Sequence, residues 1–184
     1  NGFGRIGRYF TRLAILDPEV EVGLINDLSD IKTLMHLFKY DSIHGRFNLD
    51  FKIEGNHVQF SNGKTVAFSQ ERDPSSIVWS DYNVSTVVEC TGLFLTNELA
   101  SKHFSGGAEK IVLSAPAKDS SIKTIVLGVN DGLLSENDRI VSNASCTTNN
   151  VAPLIEVMQS ICTIEQGYIS TIHSYTSDQR LHDS

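Results

Sequence analysis

Short apolar runs alternate along this chain with amphipathic stretches, and the two periods separate strands from helices. In NGFGRIGRYFTRLAIL (1–16), Ile6, Phe10, Leu13 and Ala14 recur at helical spacing, and Asp17-Pro18 closes the helix. VEVGLIND (20–27) predicts a buried strand that ends at Asn26-Asp27. Residues 30–40 place Ile31, Leu34, Met35 and Phe38 on one helical face. Between 47 and 70, FNLDFKI, HVQF and KTVAFSQ alternate apolar and polar residues. Turn signals at 54–56 and 61–63 separate them and predict antiparallel hairpin strands. Apolar strand patterns return at 85–92, 110–116, 123–130 and 139–145, with a short helix near 96–104. A helix over 146–161 and a strand over 168–176 follow.

Strands that alternate with helices, several of them apolar on both faces, predict an α/β fold with a mostly parallel sheet. No internal repeat or low-complexity linker interrupts it. The 184 residues suffice for one sizeable core or two modest ones. With 40 % apolar and 20 % charged residues the chain reads as an ordinary soluble protein. Its net charge of −7 argues against nucleic acid or an anionic membrane surface as partner. No apolar run approaches the roughly 20 residues of a membrane helix, and no signal peptide is visible. Three cysteines, without a CxxC pair or zinc-like spacing, fit a reducing compartment and argue against a metal site. The chain opens inside a glycine motif and stops just past a strand pattern, so it reads as a fragment cut at both ends.

Gly2, Gly4 and Gly7 form G-x-G-x-x-G. In such a loop one glycine allows the tight turn, one admits a pyrophosphate close to the backbone, and one permits close helix–strand packing. The helix N-terminus then offers free N–H groups to phosphate. Asp27 lies 20 residues after Gly7, at the end of the next strand. There a carboxylate would accept from ribose hydroxyls and repel a 2′-phosphate, which favours NAD over NADP. The bland alternative is a ligand-free strand–helix turn with a polar strand end.

SNASCTTNN (142–150) surrounds Cys146 with small polar residues. A thiol at or near a helix N-terminus ionises readily, and nearby N–H groups can steady an oxyanion. Pro153 predicts that the helix either starts nearer Asn150 or kinks. Among six histidines, His173 ends an apolar strand in a polar cluster, and a return crossing could bring it to Cys146. His36 reads as packed or outward-facing; His44, His57 and His103 read as surface residues, and His182 lies near the end. Cys90 and Cys162 read as small core hydrophobes.

The sequence resembles the phosphorylating glyceraldehyde-3-phosphate dehydrogenase family. The resemblance rests on NGFGRIGR at the start, IND at 25–27, YDSIHG at 40–45, QERDPS at 70–75 and CTG at 90–92. It continues through LSAPAKD at 113–119, SNASCTTNN at 142–150 and HSYTSDQ at 173–179, so it spans the chain. It implies a Rossmann-type doubly wound sheet in residues 1–145, lacking its first strand. The start of an α+β catalytic domain would occupy 146–184. It implies NAD as cofactor, bound by Gly2, Phe3, Gly4, Arg5, Ile6, Gly7, Asp27, Arg72, Thr91, Gly92 and Ser114. Arg5 and Ile6 would meet the pyrophosphate through backbone groups. Arg72 would lie by the adenine end, and Thr91, Gly92 and Ser114 would line the path to the nicotinamide.

The resemblance also makes Cys146 the nucleophile and His173 its activator, with Ser145, Thr147 and Thr176 contacting substrate or inorganic phosphate. The thiolate would attack the aldehyde of glyceraldehyde 3-phosphate, His173 would take the proton as hydride leaves, and phosphate would cleave the thioester. A cytoplasmic homotetramer of glycolysis is implied for the intact protein. Asn150 departs from the many members that carry a second cysteine there, which removes an oxidation partner and leaves the nucleophile. Later phosphate-binding and nicotinamide-binding residues of the family lie beyond this sequence, so the fragment alone is expected to be inactive. Erythrose-4-phosphate dehydrogenase, which shares the Cys/His pair, and a non-catalytic NAD-binding module remain the alternatives.

Overall fold

The structure, a computed structural model, describes residues 1–174. Ten strands form three groups. One sheet runs in the order β1 (Leu24–Asn26), β6 (Thr65–Ser69), β5 (His57–Phe60), β4 (Phe51–Glu54), with β1 and β6 parallel and the rest antiparallel. A second, wholly parallel sheet runs β7 (Thr86–Glu89), β8 (Lys110–Leu113), β10 (Ile140–Ser142), β9 (Lys123–Thr124). A small ribbon pairs β2 (Tyr40–Asp41) with β3 (Gly45–Arg46). The helices are α1 (Arg5–Leu16), α2 (Ile31–Lys39), α3 (Asn97–Ala100) and α4 (Cys146–Gln159). The chain is thus α/β with parallel strands, as expected. The hairpin turns fall as predicted, with Gly55 and Gly63 at positive φ, where glycine escapes the Cβ clash.

The two sheets are joined through the first two residues. The Asn1 backbone nitrogen donates to the Val88 carbonyl at 2.9 Å, and Cys90 N–H donates to Asn1 O at 2.8 Å. On the other side Gly2 N–H donates to Asn26 O at 2.8 Å. Below this bridge a slot of about 330 Å³, lined by Gly23, Leu24, Thr86 and Val87 among others, separates β1 from β7.

Period-two alternation divides the core. The paired residues Leu24 and Ala67 face one cluster with Ile77, Trp79, Val87, Ile111 and Leu113. Their neighbours Ile25 and Phe68 face the other, with Phe3, Leu34, Met35, Phe38 and Phe60. Phe38 is fully buried and meets Phe3, Phe47 and Phe60 with centroids 4.7–5.9 Å apart, distances that suit aromatic pairs. The buried Arg12 guanidinium donates to Phe38 O and lies over the Phe38 and Phe47 rings. It satisfies a carbonyl at the C-terminal end of α2, where a cation is favoured.

Several expectations are corrected. The face of α1 that packs is Gly7, Thr11, Arg12, Ala14 and Ile15, whereas Ile6, Phe10 and Leu13 are exposed. Gly7 sets this rotation: a Cβ there would lie 2.1 Å from the Gly2 carbonyl oxygen, so the helix is seated on its loop at that point. The regular strands are shorter than the apolar runs; that at 123–130 shrinks to two residues. The helix near 96–104 is one α turn followed by a 3₁₀ segment, Ser101–Gly106. α4 starts at Cys146, not near Asn150, and runs through Pro153. Residues 168–174 carry no strand. A strand exists by pairing, and none among the described residues lies beside them. His103 is fully buried and Cys162 is exposed, the reverse of the expectations for both. Cys90 is half-buried.

Candidate functional site

The G-x-G-x-x-G loop builds one wall of a cleft of about 1080 Å³. Gly2 has φ +85°, and a Cβ there would sit 2.8 Å from Thr91 N. Only glycine fits such a turn against a neighbouring backbone. Gly4 meets nothing within 4 Å, so its backbone faces open cleft. Gly4 is also the N-cap of α1, with no side-chain cap and no acid in the first turn. The first N–H groups of α1 are therefore open to an anion. Across the cleft, Asp27 follows β1. Its Oδ2 accepts from Phe3 N at 2.8 Å and its Oδ1 from Ser29 N at 3.0 Å. Each oxygen keeps a lone-pair direction free for a hydroxyl donor. Arg72 lies in the same wall. Gly4 as an open cradle, the uncapped helix end and the strand-end carboxylate together fit an NAD pyrophosphate and ribose.

The second wall comes from the carboxyl end of β7, and β8 and β10 end at the same sheet edge. Cys90, Thr91 and Gly92 follow β7, Ser114 follows β8, and the 143–146 segment follows β10. Binding groups gather at this edge in open α/β sheets. The last segment is tightly held. Ser142 Oγ donates to Ala115 O at 2.8 Å and accepts from Ala144 N at 3.2 Å. Asn143 N donates to Leu113 O at 2.9 Å. Buried Ala144 has φ +60°, a left-handed conformation that costs a non-glycine residue about 1–2 kcal/mol. That kink turns the chain from strand into helix. Ser145 then caps α4, its Oγ accepting from Thr148 N at 3.0 Å, and Cys146 becomes the first helical residue.

Cys146 is exposed, and its Sγ lies 3.1 Å from His173 Nε2. His173 Nδ1 faces the Ser174 carbonyl; a carbonyl only accepts, so Nδ1 carries a proton and Nε2 is the atom that exchanges one with sulfur. The His173 hydrogen bond and the Thr147 backbone N–H together hold the Cys146 thiol below its ordinary pKa, against a smaller opposing effect of desolvation. The Ser174 carbonyl, then the Cys146 bond and charge, raise that of His173. Both shifts favour thiolate and imidazolium. Cys90 behaves oppositely: burial pushes its thiol up.

The cleft is lined by Gly2, Gly4, Arg5, Ile6, Asp27, Arg72 and Thr91 of the expected cofactor set, and by Ser174 beside His173. Phe3 and Gly7 stand behind this surface. The Phe3 side chain is core and its N–H serves Asp27; Gly7 packs under Gly2. Gly92 and Ser114 are at the same strand ends but do not line the cleft. Ser145 and Thr147 flank Cys146, and Thr176 lies outside the described residues. The sequence reading gave no role to Asn1 and Asn26, which line the cleft, or to the buried Glu89, and it read the buried His103 as a surface residue. For Glu89 a signal existed: strand alternation places it on the same face as buried Val87.

Residues 1–97 match the family profile described as glyceraldehyde 3-phosphate dehydrogenase, NAD binding domain, and residues 145–184 match that family's C-terminal domain. Among curated relatives, the glyceraldehyde-3-phosphate dehydrogenase of Geobacillus stearothermophilus is 47 % identical over all 184 residues, which cover 54 % of the relative. Glyceraldehyde-3-phosphate dehydrogenase 1 of Bacillus cereus is 48 % identical, and the Mycoplasma pneumoniae protein 43 %, each with 100 % of this chain and 54 % of the relative aligned. The chain therefore spans about half the length of the curated relatives it matches. With its first half matched to the NAD-binding domain and its residues aligned end to end with these enzymes, the chain belongs to the glyceraldehyde 3-phosphate dehydrogenase family.

Proposed function

We propose that the protein carrying this chain oxidises glyceraldehyde 3-phosphate with NAD and inorganic phosphate, releasing 1,3-bisphosphoglycerate. Cys146 is the nucleophile and His173 the acid–base. The observation that carries this reading is the 3.1 Å Sγ–Nε2 contact at the N-terminus of α4, beside the cleft. Cys146 Sγ attacks the aldehyde carbon, and the His173 imidazolium gives its Nε2 proton to the new oxyanion, leaving a hemithioacetal. His173 Nε2 accepts the hydroxyl proton as the C–H bond breaks, and Sγ is left in a thioester. NAD supplies the hydride acceptor. Its pyrophosphate would rest on the Gly4–Ile6 backbone, its ribose hydroxyls on Asp27, and its far end near Arg72. Thr91, Gly92 and Ser114 would border the path to the ring, with Phe3 and Gly7 shaping the loop from behind. Ser145, Thr147 and Thr176 would receive the substrate or inorganic phosphate, whose oxygen attacks the thioester and frees the Cys146 thiol.

We assign residues 1–145 to the dinucleotide domain and 146–184 to the catalytic domain. The start of the second family match at residue 145 supports that boundary. A glycolytic role in the cytoplasm as a homotetramer is part of the same proposal, and membership of the family supports it. The test is NADH formation from glyceraldehyde 3-phosphate and NAD, with and without phosphate, beside Cys146→Ser. Steady turnover that requires phosphate and disappears in the variant supports the reading. Turnover with erythrose 4-phosphate alone would replace the substrate, and full activity of the variant would remove Cys146 from the mechanism.

A further inference from the structure

Under the cleft floor lies a buried polar network that none of the roles above uses. Glu89, the last residue of β7, has no exposed side-chain surface. Burying an unpaired carboxylate costs several kcal/mol, so its partners decide whether it is tolerated. Its Oε2 accepts from Asn1 Nδ2 at 2.7 Å and lies 3.0 Å from His103 Nε2. Its Oε1 accepts from Thr91 N at 2.8 Å and from the Thr91 hydroxyl. Trp79 fixes the histidine tautomer. Its Nε1–H, a donor only, lies 3.2 Å from His103 Nδ1, so Nδ1 is bare and Nε2–H points at Glu89. All four partners of the carboxylate are donors. Burial alone would push the Glu89 carboxyl up; its hydrogen-bond donors, His103 foremost, oppose this.

The network continues to the opposite wall. Asn26 Nδ2 donates to Asn1 Oδ1 at 2.8 Å and to Glu71 O at 2.8 Å, and Asn26 Oδ1 accepts from Glu71 N at 2.7 Å. Glu71 adjoins Arg72. The chain of bonds thus ties the Arg72 side of the cleft to Thr91 from below, across the two sheets. We propose that Glu89 is a positioning residue for the dinucleotide: its carboxylate holds Thr91 against the Gly2 turn, with His103 and Trp79 holding the carboxylate. This deepens the proposed function and rests on it.

Only a carboxylate satisfies the site. A glutamine offers one acceptor and one donor. With its amino group toward Thr91 it opposes the Thr91 N–H and releases that residue. Turned the other way it opposes both Asn1 and His103, and Asn1 is locked by Asn26. The experiment is equilibrium binding of NAD and of AMP to wild type and Glu89→Gln in the protein carrying this chain, together with KM for NAD and kcat at saturating NAD. NAD affinity is expected to fall about tenfold, the scale of one hydrogen bond to a charged group. AMP affinity should stay within about twofold, since the AMP half of the cofactor is proposed to rest on Asp27 and Arg72 rather than on Thr91, and KM for NAD should rise by more than kcat falls. Unchanged NAD affinity, or equal loss of NAD and AMP, would overturn the assignment, because a merely structural residue gives one of those results. Hydrogen exchange at the Thr91 amide in wild type provides a readout that needs no folded variant. Protection that rises with NAD is expected, and exchange as fast as a free loop amide would overturn the assignment as well. If wild type itself fails to bind NAD, the proposed function fails first; NAD binding that Glu89→Gln leaves intact removes this inference alone.

Discussion

The character of Cys146 comes from three neighbours: Ser145 that starts the helix, the Thr147 N–H, and His173 at 3.1 Å. The sign of its pH dependence follows. The thiol pKa is lowered and the imidazole pKa raised, so the ion pair exists above the first and below the second. Alkylation of Cys146 by iodoacetamide should persist well below the pH at which a free cysteine stops reacting. In His173→Asn the Cys146 profile should move up toward that of an ordinary thiol. Coincident Cys146 profiles in wild type and His173→Asn would show that His173 does not activate the sulfur. At this scale the sequence was legible where polarity was anomalous. Cys146 stood out because every neighbour was small and polar. His103 did not, because it looks like an ordinary surface histidine, and Glu89 gave only the signal of strand alternation. Their burial depends on partners 14 to 88 positions away.

Among the elements, the glycine loop gives the sharpest contrast. A Cβ at Gly7 would lie 2.1 Å from a backbone oxygen, whereas one at Gly4 meets nothing. Gly7→Ala should therefore destabilise the fold, by about 1–3 kcal/mol as for other overpacked sites. Gly4→Ala should leave the melting temperature nearly unchanged and weaken NAD binding, because its methyl occupies space meant for the pyrophosphate. Thermal melts and NAD titrations of both variants check this; equal melting-temperature losses would contradict it. At the start of α4, Ser145→Ala removes a cap worth about 1 kcal/mol and should also slow Cys146 alkylation at neutral pH. Helices and hairpins were readable because their periods are local. The 168–176 strand was not, because a strand is made by its neighbours, and the predicted α1 face was displaced by one close contact at Gly7.

Over the whole molecule, two sheets meet at Asn1–Gly2 and place the binding groups along one edge. Asp27 on one side and Thr91 on the other bracket the loop that a dinucleotide must cross. Asp27→Ala should lower NAD affinity by about tenfold to a hundredfold, the range for losing hydrogen bonds to a charged acceptor. It should reduce the preference for NAD over NADP as well, and comparative titration of the two cofactors measures both. The α/β class was visible from the alternation of elements. The pairing order of the strands was not, since pairing is a property of long-range contacts rather than of any one segment.

The central claim is that Cys146 carries the acyl group. It is tested most directly by mixing the protein carrying this chain with glyceraldehyde 3-phosphate and NAD without phosphate, then measuring NADH and the mass of the Cys146 peptide together. The account predicts a burst of about one NADH per site and a 3-phosphoglyceroyl thioester on Cys146, discharged when phosphate is added. Continuous NADH formation with Cys146 unmodified would contradict it.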